Sequence, residues 1–298
     1  MTGAVALVQS AAAVPLSTPA LWLTGIERGL MLAGLAVALG GIAGRGLSRQ
    51  YKGERPAELP GPLALGGSLL GLAATAALLV TAVIGPDVAA RLAQPPPSGL
   101  RSGGTAEIAA IEAVLFALSA IAARLRRTGL AAVLLSGVVL AEGIRSHPEG
   151  VIPVAGAFVT YCHLFPAVLW AGMLVYAVRA ALAWRNYPVA AQGIIRLYAT
   201  AAAWLFGIVV ITGIVMALVL VPIGSPGKLV TTTYGLFLVA KAVVVCVAAG
   251  LALVGRQWLR RHAEAGAGPA LATRLEIGAL GAVLIITGIL TVLTPPNT

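Results

Sequence analysis

"TYCHLFPAVLW", residues 160–170, places a histidine, a cysteine and a proline inside a run of Leu, Val, Phe and Trp. What keeps a titratable imidazole there depends on the solvent around the segment, and composition decides that. The chain is 59% hydrophobic and 10% charged, with a mean hydropathy of +0.97. A soluble domain carries about 25% charged residues, so this chain lacks the polar surface to stay dissolved in water. It reads as an all-α polytopic membrane protein, and spans of about 20 apolar residues become the unit of counting.

Working outward from that stretch, eight spans emerge near 20–43, 62–85, 106–123, 129–145, 151–178, 198–222, 232–255 and 275–294. Helices are expected because a bilayer leaves no backbone group unpaired, and no segment alternates like a barrel strand. The fourth span is short. The fifth is long and contains Pro166. "AQPPPSG" (93–99) and "SPGK" (225–228) read as loops. The expected organisation is a single membrane domain, 1–298, with a four-helix half over 1–145 and a second over 146–298.

Basic residues set the expected orientation. One alternate set of loops holds 14 of them, from Arg45, Arg49, Lys52 and Arg55 through Arg256, Arg260, Arg261 and Arg274. The other set holds Arg91, Arg101, Arg145 and Lys228. The positive-inside rule then puts both termini outside and the "RLRR" and "RQWLRRH" loops in the cytoplasm. The net charge of +10 is therefore an orientation signal with affinity for anionic headgroups, and no nucleic-acid partner is expected. No basic n-region precedes the first span, so no cleavable signal peptide is expected. Seventeen Arg against three Lys, with abundant Ala and Gly, suggests a high-GC bacterium, and with the apolar spans the expected location is the bacterial cytoplasmic membrane.

Ionisable residues inside spans cost about 2.5–3.5 kcal/mol each on insertion scales and mark function by default. Glu112, Glu142, His163, Lys241 and Glu276 are of this kind. Counting at 1.5 Å per residue places His163 about 18 Å below the outer surface, Lys241 about 14 Å, and Met216 and Glu142 about 6–9 Å. Two readings compete for the lysine and the glutamates. In the structural one, Lys241 pairs with Glu142 or Glu112 as internal glue. In the functional one, these groups face one another around a ligand. For His163 the neighbouring sequence favours a ligand: Pro166 cannot donate to the carbonyl of Cys162, which kinks the helix and frees that oxygen.

Several segments, in order, resemble the copper resistance D (CopD) membrane domain. "HLFPAVLWAG" (163–172) is similar to that family's H-x-x-x-x-x-x-W-x-G helix. "VVITGIVMAL" (209–218), "TTTYGLFLVAKAVVV" (231–245) and "RLEIGALGAVLIITGILTVLTPP" (274–296) resemble its T-G pair, its T-x-Y-G-x-x-L-x-x-K helix and its R-x-E helix ending in Pro-Pro. "EGIRSHPEG" (142–150) looks like its G-H-A turn with Ser146 and Pro148 substituted. The resemblance covers 145–298 and makes the second half CopD-like. It implies copper transport or copper tolerance across the membrane, with a periplasmic copper-binding protein or other membrane subunits as partners. Carried over, His147 is the turn histidine and His163 the helix histidine. Trp170 and Gly172 match the W-x-G, Tyr234, Gly235 and Lys241 the Y-G…K, and Glu276 the R-x-E.

Donor chemistry narrows what copper could do here. Cu(I) favours Cys and Met sulfur, and imidazole suits either oxidation state. Soft ligands are few: Cys162, Cys246, Met31, Met173 and Met216 beyond the initiator. With no Met-rich loop and no C-x-x-C, a weak transit site of His147, His163, Cys162 and Met216 is expected in place of a store. The two cysteines are expected as buried, unreactive thiols. The alternatives are a non-transporting subunit of a respiratory or envelope complex, and a haem-binding membrane cytochrome using His147 and His163. An enzyme is not expected: there is a single Asp, and no H-E-x-x-H, Walker or G-x-S-x-G motif. "GGIAG" (40–44) and "GGSLLG" (66–71) are expected to let helices approach closely.

Overall fold

Small residues decide where the first helix bends and what it meets. The computed structural model describes residues 19–53, 58–84, 105–146, 148, 151–152, 154–221, 224, 227–261 and 270–293. In it α1 (Pro19–Leu35) passes through a π-helical turn (Ala36–Gly40) into α2 (Gly41–Ser48). The helices α3 (Ala64–Ile84), α4 (Thr105–Arg124), α5 (Thr128–Ile144), α6 (Ala155–Ala183) and α7 (Pro188–Leu220) follow. A single turn, α8 (Lys228–Thr231), leads into α9 (Thr233–Arg261) and then α10 (Ala270–Leu290). Among the described residues there is no strand.

Close crossings hold the first helix in place, among them one where Gly25 and Gly29 meet Gly288 of α10 backbone to backbone. A Cβ on Gly34 would stand 2.5 Å from the Gly71 backbone nitrogen, and one on Gly67 2.5 Å from that of Ala38. Real Cβ contacts are never so short, so α1 and α3 touch backbone to backbone only because glycine lines the contact. Another crossing joins the π turn to α6, where a Cβ on Gly40 would lie 2.5 Å from the Gly172 Cα. Both glycine runs, "GGIAG" and "GGSLLG", thus supply close approach as expected.

The remaining contacts run mostly between neighbours in sequence: α3 on α4, α4 on α5, α5 on α6, α6 on α7, and α9 on α10. α10 returns to α1 and closes the bundle. Contact between α7 and α9 is thin by comparison, leaving a seam there. Large apolar side chains such as Val133, Phe158, Trp204 and Leu253 face outward, the arrangement lipid tails require.

Among the described residues, six helices are long and apolar enough to cross a membrane. The fourth and eighth expected spans are shorter apolar helices, Thr128–Ile144 and Leu275–Leu290. α7 begins at Pro188, ten residues before the expected span, so the α6–α7 connection is the short segment 184–187. At 33 residues α7 is about 50 Å long, well beyond a hydrocarbon core of about 30 Å. The chain after α2 covers the start of α7, where Tyr51 lies against Gly193, and the end of α6. Tyr51 packs on Trp184 at 6.1 Å between ring centroids. The Tyr176 hydroxyl donates to the Pro60 carbonyl at 2.8 Å, and Arg179 donates to that of Gly61 at 2.7 Å.

Candidate functional site along the α6–α7 seam

His163 lies in the third turn of α6, and its Nδ1 is 3.0 Å from the Thr212 hydroxyl of α7. That hydroxyl donates its own proton to the Ile208 carbonyl at 2.6 Å. Its remaining capacity is as an acceptor, so His163 must donate through Nδ1–H. The ring also faces the Val209 carbonyl, which can only accept. The imidazole is therefore held as the Nδ1–H tautomer, with Nε2 carrying the free lone pair. Gly213 makes room: a Cβ there would sit 3.2 Å from His163 Cε1.

Lys241, from α9, is half-buried and acts electrostatically on His163. Among the described residues no carboxylate lies within ion-pairing distance of it. The expected pairing of Lys241 with Glu142 or Glu112 is overturned. Both carboxylates instead bind Arg145, Glu112 at 3.3 Å and Glu142 in closer contact. The reason is local: Arg145 caps α5 three residues after Glu142, so a helix-neighbour cation takes both carboxylates. Arg145 was expected in an outer loop; its side chain folds back and is only 8% exposed.

That cluster is larger than the sequence suggested. Arg28, on α1, lies within electrostatic reach of Glu112 and donates to the Thr291 carbonyl at 3.2 Å. Glu27 accepts from Thr81 of α3 at 3.0 Å. Neither Glu27 nor Arg28 stood out among the expected intramembrane charges, although "GIERGL" puts both inside the first span. Both are buried.

Seven residues along α6 from His163, and so on the same face, Trp170 meets Phe206 of α7 edge-on at 5.4 Å. Below this pair Glu276 of α10 accepts a hydrogen bond from the Tyr198 hydroxyl at 3.3 Å, both groups buried. Trp170, Tyr198, Phe206 and Glu276 line one cavity of about 170 Å³ between α6, α7, α9 and α10. Tyr198 carried no signal in the sequence.

The other expected donors are dispersed. Cys162 is half-buried and adjacent to His163, hence about 100° away around the helix. Met216 is half-buried one turn from Thr212 on the same face of α7. Cys246 is exposed on α9, which corrects the expectation of two buried thiols. His147 lies outside the described residues. Among the described residues no three His, Cys, Asp or Glu side chains cluster as a metal-binding group. Of the remaining motif residues, Gly172 makes the crossing with the π turn. Tyr234 is buried against Leu21, Leu220 and Leu290, and Gly235 sits against the Lys228 and Leu229 carbonyls.

The family described as Copper resistance protein D matches residues 192–293. That interval takes in Tyr198, Thr212, Lys241 and Glu276, while α6 with His163 and Trp170 lies outside it. No curated protein and no solved structure gives a significant match.

Proposed function

We propose, from the match of residues 192–293 to the Copper resistance protein D family, that this membrane protein passes copper as its substrate along the α6–α7 seam. His163 is the central ligand. One observation carries the reading: Nδ1–H donates to Thr212, which leaves Nε2 as a fixed, neutral donor. Metal-binding histidines are oriented in this way by a hydrogen bond from the other ring nitrogen. Cys162, the residue before His163, and Met216, one turn from Thr212 on α7, are the sulfur donors of this reading, and His147 is its second imidazole. Such a set fits a transit site: one imidazole and dispersed sulfur hold copper weakly, and release is what passage requires. With both termini outside, the site opens to the outer face and draws on a periplasmic copper-binding protein.

Copper tolerance and membrane copper content in cells carrying His163→Ala test this directly. The expected result is a change in both, with the variant present at the wild-type level. Unchanged tolerance and content in His163→Ala and in the His163→Ala, His147→Ala double variant would remove the site. A second reading, a non-transporting subunit of a larger membrane complex, is favoured by one observation. Lys241 sets a cation against His163, where a metal ion would be repelled. Isolation of a native complex that contains other subunits and no copper would support it.

A further inference from the structure

The cavity between α6, α7, α9 and α10 is not needed for copper at His163, and its chemistry is of another kind. It lies toward the opposite end of the seam: Gly255, in its wall, is fourteen residues along α9 from Lys241, about 21 Å. Its walls are mostly apolar, with Leu174, Ile195, Ala202 and Leu253 among them. Leu253 is itself exposed and stands at the mouth, beside the thin contact between α7 and α9.

Three polar groups reach this space. The Glu276 carboxylate is 6% exposed and has the Tyr198 hydroxyl as its hydrogen-bond partner. Among the described lining residues none is Lys or Arg, so its charge has no counter-ion from the wall. The third group is the Trp170 indole N–H. Trp170 is 3% exposed, and its Nε1 faces the Tyr198 hydroxyl without a well-formed hydrogen bond. A buried carboxylate without a cation among the described lining residues, and a buried N–H with only a poorly formed contact to Tyr198, together describe what is missing.

A bare metal ion does not complete this arrangement, because one carboxylate and one phenol are too few oxygens for a hard cation. Among the described lining residues none offers sulfur or imidazole for a soft one. At about 170 Å³ the space is below the roughly 300–1,000 Å³ of drug-sized sites. A small organic cation does complete it. Its charge would sit against Glu276, its methylenes or methyls against the faces of Trp170, Phe206 and Tyr198 as in aromatic cages, and an oxygen on it would accept from Trp170.

We propose that this cavity binds a small organic ammonium ion of the amino-alcohol class. The ammonium comes from a free amine or from the headgroup of an aminophospholipid that enters between α7 and α9. The site is independent of copper, so it stands or falls apart from the reading above.

The purified full-length protein, delipidated in a detergent without amines, tests it by calorimetric titration with ethanolamine and with choline. The uncharged carbon analogue of choline, 3,3-dimethylbutan-1-ol, serves as the control. Saturable binding of an ammonium ion, at least tenfold weaker for the uncharged analogue and for Glu276→Gln, is the expected result. Ala252→Leu, which fills the cavity and leaves its polar groups intact, is expected to abolish binding and covers the case in which Glu276→Gln does not fold. Mass spectrometry of the undelipidated protein separates the two sources. Aminophospholipid retained by wild type and lost from Ala252→Leu identifies a headgroup, and its absence beside free-amine binding identifies a soluble amine. No saturable heat with either amine and no retained aminophospholipid would overturn the proposal, as would equal binding of the uncharged analogue.

Discussion

Two buried polar regions occupy the same bundle on opposite terms. Around Arg145, in the N-terminal half, charge meets charge: Arg145 with Glu112 and Glu142, and Arg28 within reach of Glu112. Along the α6–α7 seam no opposite charges are paired among the described residues. His163 has Thr212, Glu276 has Tyr198, and Lys241 has no carboxylate within ion-pairing distance among the described residues. A cluster that neutralises itself contributes to folding. A histidine, a lysine and a carboxylate each left with at most an uncharged partner remain available to a ligand. Sequence alone treats all of them as equivalent intramembrane charges; the neighbours separate them.

The comparison breaks most visibly at Arg145. Arg145→Met strands two buried carboxylates, and loss of one partner of a buried pair costs about 3–5 kcal/mol. The expected outcome is a large drop in folded protein by size-exclusion chromatography and in thermal midpoint. Adding Glu112→Gln and Glu142→Gln to that variant is expected to restore most of the loss, as coupled groups must. A single Arg145→Met variant as stable as wild type would show that the cluster does not hold the N-terminal half together.

On the seam, Thr212→Val removes the acceptor that fixes the His163 ring and leaves the fold intact. Losing an orienting partner of this type costs about 10–100-fold in metal affinity, to be read by copper titration against a competing chelator. Gly172→Ala probes the scaffold beneath the seam. Its methyl would collide with the Ala36 carbonyl of the π turn, and overpacking of this sort costs about 1–3 kcal/mol in thermal stability. Lys241→Met is expected to have the smallest effect on folding, within about 1 kcal/mol, because no carboxylate is stranded. Copper affinity is expected to rise on the order of tenfold as a nearby cation is removed. A severe folding defect in Lys241→Met would place the lysine in the structural class with Arg145.

Much of this architecture was legible in the sequence. Hydropathy alone located the six long apolar helices and the two shorter ones among the described residues, the shortness of α5 and the length of α6 with Pro166 inside it. The glycine runs foretold the crossings of α1 with α3 and of the π turn with α6, though not the one between Gly25, Gly29 and Gly288. Less legible were the ends and the partners. Pro188 starts α7 early because proline at the first helical position costs nothing, its missing N–H being unpaired there anyway. Lys241 was matched to the wrong carboxylates since depth along a helix says nothing of which face it points from. Arg145 looked like a loop residue until its side chain was seen to fold back on Glu142 one turn earlier. Tyr198 and Thr212 are ordinary helix residues in the sequence; only the packing of α6 on α7 makes them partners of Glu276 and His163.

The claim at the centre is that His163 presents a neutral Nε2 to copper. Copper(I) titration of the purified protein and of His163→Ala, in the presence of a chelator that reports the free ion, tests it most directly. The account predicts one weak site per chain in wild type, absent from His163→Ala at unchanged thermal stability. The same stoichiometry and affinity in both proteins would contradict it.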